Sequence, residues 1–127
     1  MAQYTEFGHK AFRAVGAIGQ WLRVKGTRQS TGEIQIDVAG VTDRELGVAT
    51  RPAFNALDFT DVKLRTANGT VQMVAAASFN AMATVYTAAA GKISGTQATG
   101  ALLVGHAMQD ASGNNSIVEV LRFADVG

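Results

Sequence analysis

Two histidines, ten carboxylates and no cysteine are the groups from which acid–base, metal or thiol chemistry could be built in this chain. The carboxylates are scattered. Asp43-Arg44-Glu45 is a charged tripeptide expected to be solvated or ion-paired at the surface. Asp58 and Asp61 flank Phe59-Thr60 with no second pair to face across a cleft, which general acid–base work requires. His9 stands near the start of the sequence and His106 late in it, in no spacing that suits a metal. His106 follows Gly105 inside an apolar run and is expected to be a hydrogen-bonded core residue. No G-x-S-x-G surrounds a serine. The G-T-Q-A-T-G stretch at 95–100 looks like a phosphate loop, but it lacks the Lys-Ser/Thr pair. The expectation is therefore no catalytic, cofactor-binding or metal residue, and no enzyme.

Charge and hydropathy exclude further classes. Eleven basic against ten acidic residues leave a net charge of +1, too little to steer the chain onto DNA or an anionic membrane. Arg23, Lys25, Arg28, Arg51, Lys63 and Arg65 are spread along the sequence without an aromatic stripe beside them, so neither a nucleic-acid nor a membrane partner is expected. No apolar run reaches bilayer length, and residues 1–6 do not read as a secretion signal. Hydrophobic residues make up 47% but aromatics only 7%. A core built largely of Ala and Val buries little area per residue, which favours stabilisation by partners.

The elements that must position these residues are strands. Residues 33–38 alternate strictly, with Ile34, Ile36 and Val38 on one face and Glu33, Gln35 and Asp37 on the other. Residues 117–123 alternate likewise, with Val118 and Val120 opposite Ile117, Leu121 and Phe123. Residues 21–25, 46–49, 61–66, 70–75, 85–86 with a return starting at Lys92-Ile93, and the apolar run 100–108 read as further strands, divided by turns such as Ala90-Gly91 and Asn68-Gly69. The count is eight or nine. The fold class is mainly β, a small β-barrel or β-sandwich, in one domain over 21–127. Residues 1–20, broken by Gly8, Gly16 and Gly19, are expected to form an N-terminal arm. The loop around Phe54, Leu57 and Phe59 is unusually apolar; it either plugs one end of the barrel or touches another subunit. Trp21, the single tryptophan, either caps the core or packs at an interface.

The chain also repeats itself. Trp21 to Lys25 leading to Gly32-Glu33-Ile34 matches Val85-Tyr86 leading to Gly91-Lys92-Ile93. Leu46-Gly47-Val48-Ala49 matches Val104-Gly105-His106-Ala107, and Asp61 to Arg65 matches the 117–122 strand. Three features in one order point to an internal duplication.

Across residues 20–123 these phrases resemble the small capsid cement, or head decoration, proteins of bacteriophages. The V-Y…G-K-I hairpin at 85–93, the V-G-H-A strand at 104–107 and the closing V-E-V-L-R strand at 118–122 carry the resemblance. The N-terminal 20 residues and the aromatic 51–60 loop depart from it. The resemblance implies a structural virion protein on the outer surface of an icosahedral head, stabilising contacts between major capsid subunits. It implies two partners, the major capsid protein and further copies of itself in a homotrimer. On that reading the contact residues are Tyr4, Phe7 and Phe12 in the arm, Phe54, Leu57 and Phe59 in the loop, and Trp21. The alternative is a carbohydrate- or receptor-binding β-module of a phage fibre or surface protein, which the scarcity of Trp and Tyr disfavours.

Overall fold

Alternating β-branched residues become ten strands in the computed structural model, which describes residues 8–67 and 69–123. The first five are β1 (His9–Ala14), β2 (Arg23–Arg28), β3 (Ile34–Val38), β4 (Gly47–Ala49) and β5 (Phe59–Leu64). They close into a barrel in the order β1-β3-β2-β4-β5. The other five are β6 (Val71–Val74), β7 (Thr84–Thr87), β8 (Ile93–Ser94), β9 (Leu103–Ala107) and β10 (Ile117–Arg122). They form a sheet in the order β6-β10-β9-β7-β8. Strand for strand the second order is the first one repeated. The parallel β1–β3 pairing that closes the first barrel at Ala14↔Ile36 returns as a single parallel bridge, Ala75↔Ile93.

The duplication extends to side chains. Ala14, Val24, Ile36, Ala49, Ala53 and Val62 in the first core stand where Ala75, Val85, Ile93, Ala107, Ala111 and Val120 stand in the second. Trp21 and Met82 both adopt positive φ (67° and 70°), and their N–H groups donate to Ala49 O and Ala107 O, each at 2.7 Å. Gly47 and Gly105 are glycines for one reason. A Cβ on Gly47 would lie 2.3 Å from Lys63 O, and one on Gly105 would lie 2.1 Å from Leu121 O. The matched phrase in β3 and β8 is Ile36 with Ile93, two residues on from Ile34, because the β2–β3 connection is longer than its counterpart.

Three expectations are corrected. Residues 9–14 are not an arm. They form β1, paired with β5 from His9↔Lys63 to Arg13↔Phe59, with Phe12 half-buried on the first core and Ala14 inside it. Glycines on either side end the strand without preventing it. Residues 1–7, with Tyr4 and Phe7, lie outside the described residues. Second, the Asn68-Gly69 signal does not make a hairpin: β6 leaves β5 and pairs with β10, so this stretch links the repeats. Third, Asp43-Arg44-Glu45 is not a surface tripeptide, because Glu45 is buried.

Glu45 belongs to the seam between the repeats. The fully buried Arg23 lies 3.6 Å from Glu45 Oε2 through Nη1. Its guanidinium also donates to Gly40 O (3.2 Å) and Asp43 O (3.3 Å) of the first repeat. The same group reaches Ala88 O (2.7 Å) and Lys92 O (3.0 Å) of the second. Burial lowers the Arg23 pKa, and Glu45 offsets part of that. Val48 packs into the second core, and Trp21 lies half-buried against that core. Trp21 thus occupies an interface, though one internal to the chain.

Candidate interaction surface

The loop between β4 and β5 is built from the backbone outward. Ala53 is buried and locked to Ile18 by two hydrogen bonds, Ile18 N–H to Ala53 O (2.8 Å) and Ala53 N–H to Ile18 O (2.9 Å). Asp58 Oδ2 accepts from the N–H groups of Phe54 (3.2 Å) and Asn55 (3.0 Å), so the side chain reaches back and ties the start of the loop to its end. The Leu57 N–H donates to Ala14 O and the Ala14 N–H to Asp58 O. The Thr60 hydroxyl donates to Arg51 O at 2.5 Å. A turn so held carries its side chains outward: Phe54 is 75% exposed, Phe59 64% and Leu57 56%. They do not plug the barrel. The Arg13 guanidinium lies 5.0 Å from the Phe59 ring centre, so the patch presents a cation beside its aromatic group.

The second repeat shows that this apolarity is not demanded by the turn. Positions 54, 57 and 59 correspond to Ser112, Asn115 and Ile117. Leu57 and Asn115 share the left-handed conformation, with φ of 69° and 73°, and their N–H groups bond to Ala14 O and Ala75 O. Ser116 Oγ takes over the role of Asp58 by accepting from the Gly113 N–H at 3.2 Å. Asn tolerates this conformation and leucine does not. An exposed leucine held there costs the monomer about 1 kcal/mol. Leu57→Asn is therefore expected to stabilise the isolated chain by about 0.5–1 kcal/mol in urea unfolding, while weakening whatever the loop binds.

The corresponding corner of the second repeat is more polar, an open groove of about 760 Å³ in which Ser78, Asn80, Asp110, Ser112 and Ser116 surround Phe79, with Ala111 and Ile117 also lining it. The Asp110 carboxylate accepts from the Ala81 N–H at 2.6 Å.

The ionisable groups are structural in their geometry. His9 Nδ1 lies 2.8 Å from Asp61 Oδ2, and the Thr50 hydroxyl donates to the same oxygen at 2.7 Å. Partial burial works against the Asp61 carboxylate, but the bonds from Thr50 and His9 outweigh it and hold its pKa below the usual range. His106 is half-buried on β9, its ring edge-on to Phe123 at 4.6 Å. Its Nδ1 has no hydrogen-bond partner among the described residues, contrary to the expectation of a hydrogen-bonded core residue. Among the described residues no three His, Asp or Glu side chains gather to hold a metal ion.

Of the contact residues named from sequence, the structure brings Phe54, Leu57 and Phe59 together on the surface. It places Phe12 and Trp21 against the cores. Sequence reading missed Arg13, whose place beside Phe59 follows only from the pairing of β1 with β5.

No family model and no curated protein matches the chain. A solved structure does: the head fiber gp8.5 N base of bacteriophage phi29, with a TM-score of 0.70 over 92% of this chain and 98% of that one. Identity is 16%, so the two proteins share a fold.

Proposed function

We propose that the chain is a structural protein of a phage virion that sits on the outer surface of the head as a cement or decoration protein. The observation that carries this reading is the likeness, along nearly the whole of both chains, to the base of a phage head fiber. The exposed loop of Phe54, Leu57 and Phe59 supplies the contact with the major capsid protein. It offers rigid apolar anchors on a tied-down turn, and Arg13 adds a charge at its rim. Interfaces draw most of their energy from a few such aromatic and arginine groups. Several copies acting together, as in a homotrimer, would multiply modest contacts through effective concentration. The role requires binding area and shape, with no catalytic step.

Heads lacking the protein, mixed with the purified chain and pelleted, test the reading. The wild-type chain should co-sediment to saturation and raise the temperature at which heads release DNA. A Phe54→Ser/Phe59→Ser variant, folded by circular dichroism, should bind about 30- to 1,000-fold more weakly, the loss of about 2–4 kcal/mol expected for hot-spot side chains. Equal binding by the variant would remove the loop from the interface. Failure of the wild type to bind any head would overturn the proposal itself.

A further inference from the structure

The repeats are alike, but among the described residues the outer face of the first is covered by the second, while the equivalent face of the second is largely exposed. In the first repeat the seam with the second includes Trp21, Arg23 and Val48, with Glu45 paired to Arg23 behind them. The duplication assigns each a counterpart. Trp21 corresponds to Met82 through shared φ and hydrogen bonding. Arg23↔Val48 in the β2–β4 register corresponds to Thr84↔His106 in β7–β9. Glu45 corresponds to Leu103, as Gly47 does to Gly105. The next strand extends the row. Lys63 pairs with Val48, and its counterpart Leu121 pairs with His106.

Among the described residues this second face is touched only at its margins, where Arg44 Nη1 donates to Leu103 O at 3.0 Å and Phe123 packs edge-on against His106. Met82 is 66% exposed and Leu121 44%, and Leu103 and Phe123 are exposed as well. Its composition is opposite to that of a face meant for water. Arg23, Glu45, Lys63 and Arg65 in the first repeat become Thr84, Leu103, Leu121 and Phe123 in the second. Charges have been removed where solvent would favour them, and several exposed apolar side chains on one outer face mark an interaction site.

We infer that this face, carried by β7, β9 and β10, docks the first repeat of a second copy of the chain. The occupant is indicated by the molecule itself. The equivalent face of the first repeat is covered by a unit of this same fold, whose β7–β8 turn brings Gly91 to where a Cβ would lie 3.0 Å from Arg23 O. The corresponding part of another copy is its β2–β3 turn, beside which Ile34 is exposed. A chain of net charge +1 raises no long-range barrier to such packing. The two surfaces differ, so the contact is head-to-tail, closing into a ring if the rotation allows and otherwise continuing. This inference rests on the self-association in the proposed function and names its surface.

The absence of cysteine makes the test direct. Leu121→Cys provides a single thiol on the face, and its maleimide labelling is followed across a dilution series beside light scattering. The expected result is labelling slowed about tenfold as concentration rises well beyond the dissociation constant, in step with an increase in mass. Leu121→Glu should abolish the mass increase while leaving the melting curve in place. If the chain associates but labelling is independent of concentration, the face is wrong and self-association stands. If the chain is monomeric throughout and labels fast, both fail. Slow labelling of a monomer at every concentration would mean that the chain's own terminal residues cover the face, and protection conferred only by added heads would mean that the shell protein does. Either result overturns the inference.

Discussion

Arg23→Met should destabilise the protein by about 3–5 kcal/mol, the effect of removing one partner of a buried ion pair. The methionine fills the space but leaves the Glu45 carboxylate buried without its Arg23 partner, with Arg44 Nη1 at 3.6 Å and the Arg122 charge nearby. It also strips the carbonyls of Gly40, Asp43, Ala88 and Lys92 of the donor they share. Two of these carbonyls belong to each repeat, so the loss falls on the seam. Urea unfolding followed by fluorescence of Trp21, the single tryptophan, reads that seam directly. Its transition should move to lower urea than the circular dichroism transition, because the repeats separate before their sheets melt. Arg23→Met/Glu45→Leu should recover much of the loss, since an apolar pair needs no counter-charge. A loss below about 1 kcal/mol for the single variant would show that the seam is held by packing alone.

The second large effect is at the paired glycines. Gly105→Ala puts a Cβ 2.1 Å from Leu121 O, and Gly47→Ala puts one 2.3 Å from Lys63 O. Both oxygens are backbone atoms of a paired strand, so relief requires parting β9 from β10 or β4 from β5. Each variant should lose about 3 kcal/mol, at the upper end of overpacking costs. Gly113→Ala is the control. Nothing lies within 4 Å of its added Cβ, and a change of under about 0.5 kcal/mol is expected. If Gly105→Ala and Gly113→Ala melted alike, the close approach of the strands would not be the reason for glycine there.

Much of this fold was legible in the sequence because the repeats share local chemistry. Leu46-Gly47-Val48-Ala49 and Val104-Gly105-His106-Ala107 align, since each needs its glycine at a close strand approach. The alternation in 33–38 and 117–123 separated two faces on each strand, and the structure buries Ile36 on one and Val118 and Val120 on the other. What escaped was whatever depends on the spacing between phrases. Ala14 and Ala75 lie 61 positions apart, Ile36 and Ile93 57, and Gly47 and Gly105 58, so no single offset reveals the full set of matched core residues. The first strand was missed because its identity depends on its partner. His9 to Arg13 carry no strong strand pattern, and it is the β5 backbone that makes them a strand. Arg23 and Glu45 look like surface residues in sequence, and only the docking of the second repeat buries them.

The apolar loop was visible as three large side chains in six residues, but its orientation was not. The duplication bears on it, because the same turn folds with Ser112 and Asn115 in place of Phe54 and Leu57. Phe54 and Leu57 are thus free to answer to something outside the chain.

Cryo-electron microscopy of phage heads lacking the protein, reconstructed before and after its addition, tests the central proposal most directly. The account predicts new density at fixed positions on the outer surface of the shell, sized for 13.2 kDa units, with the loop of Phe54, Leu57 and Phe59 facing the capsid subunits. Identical reconstructions with and without the protein at saturating concentration would contradict it.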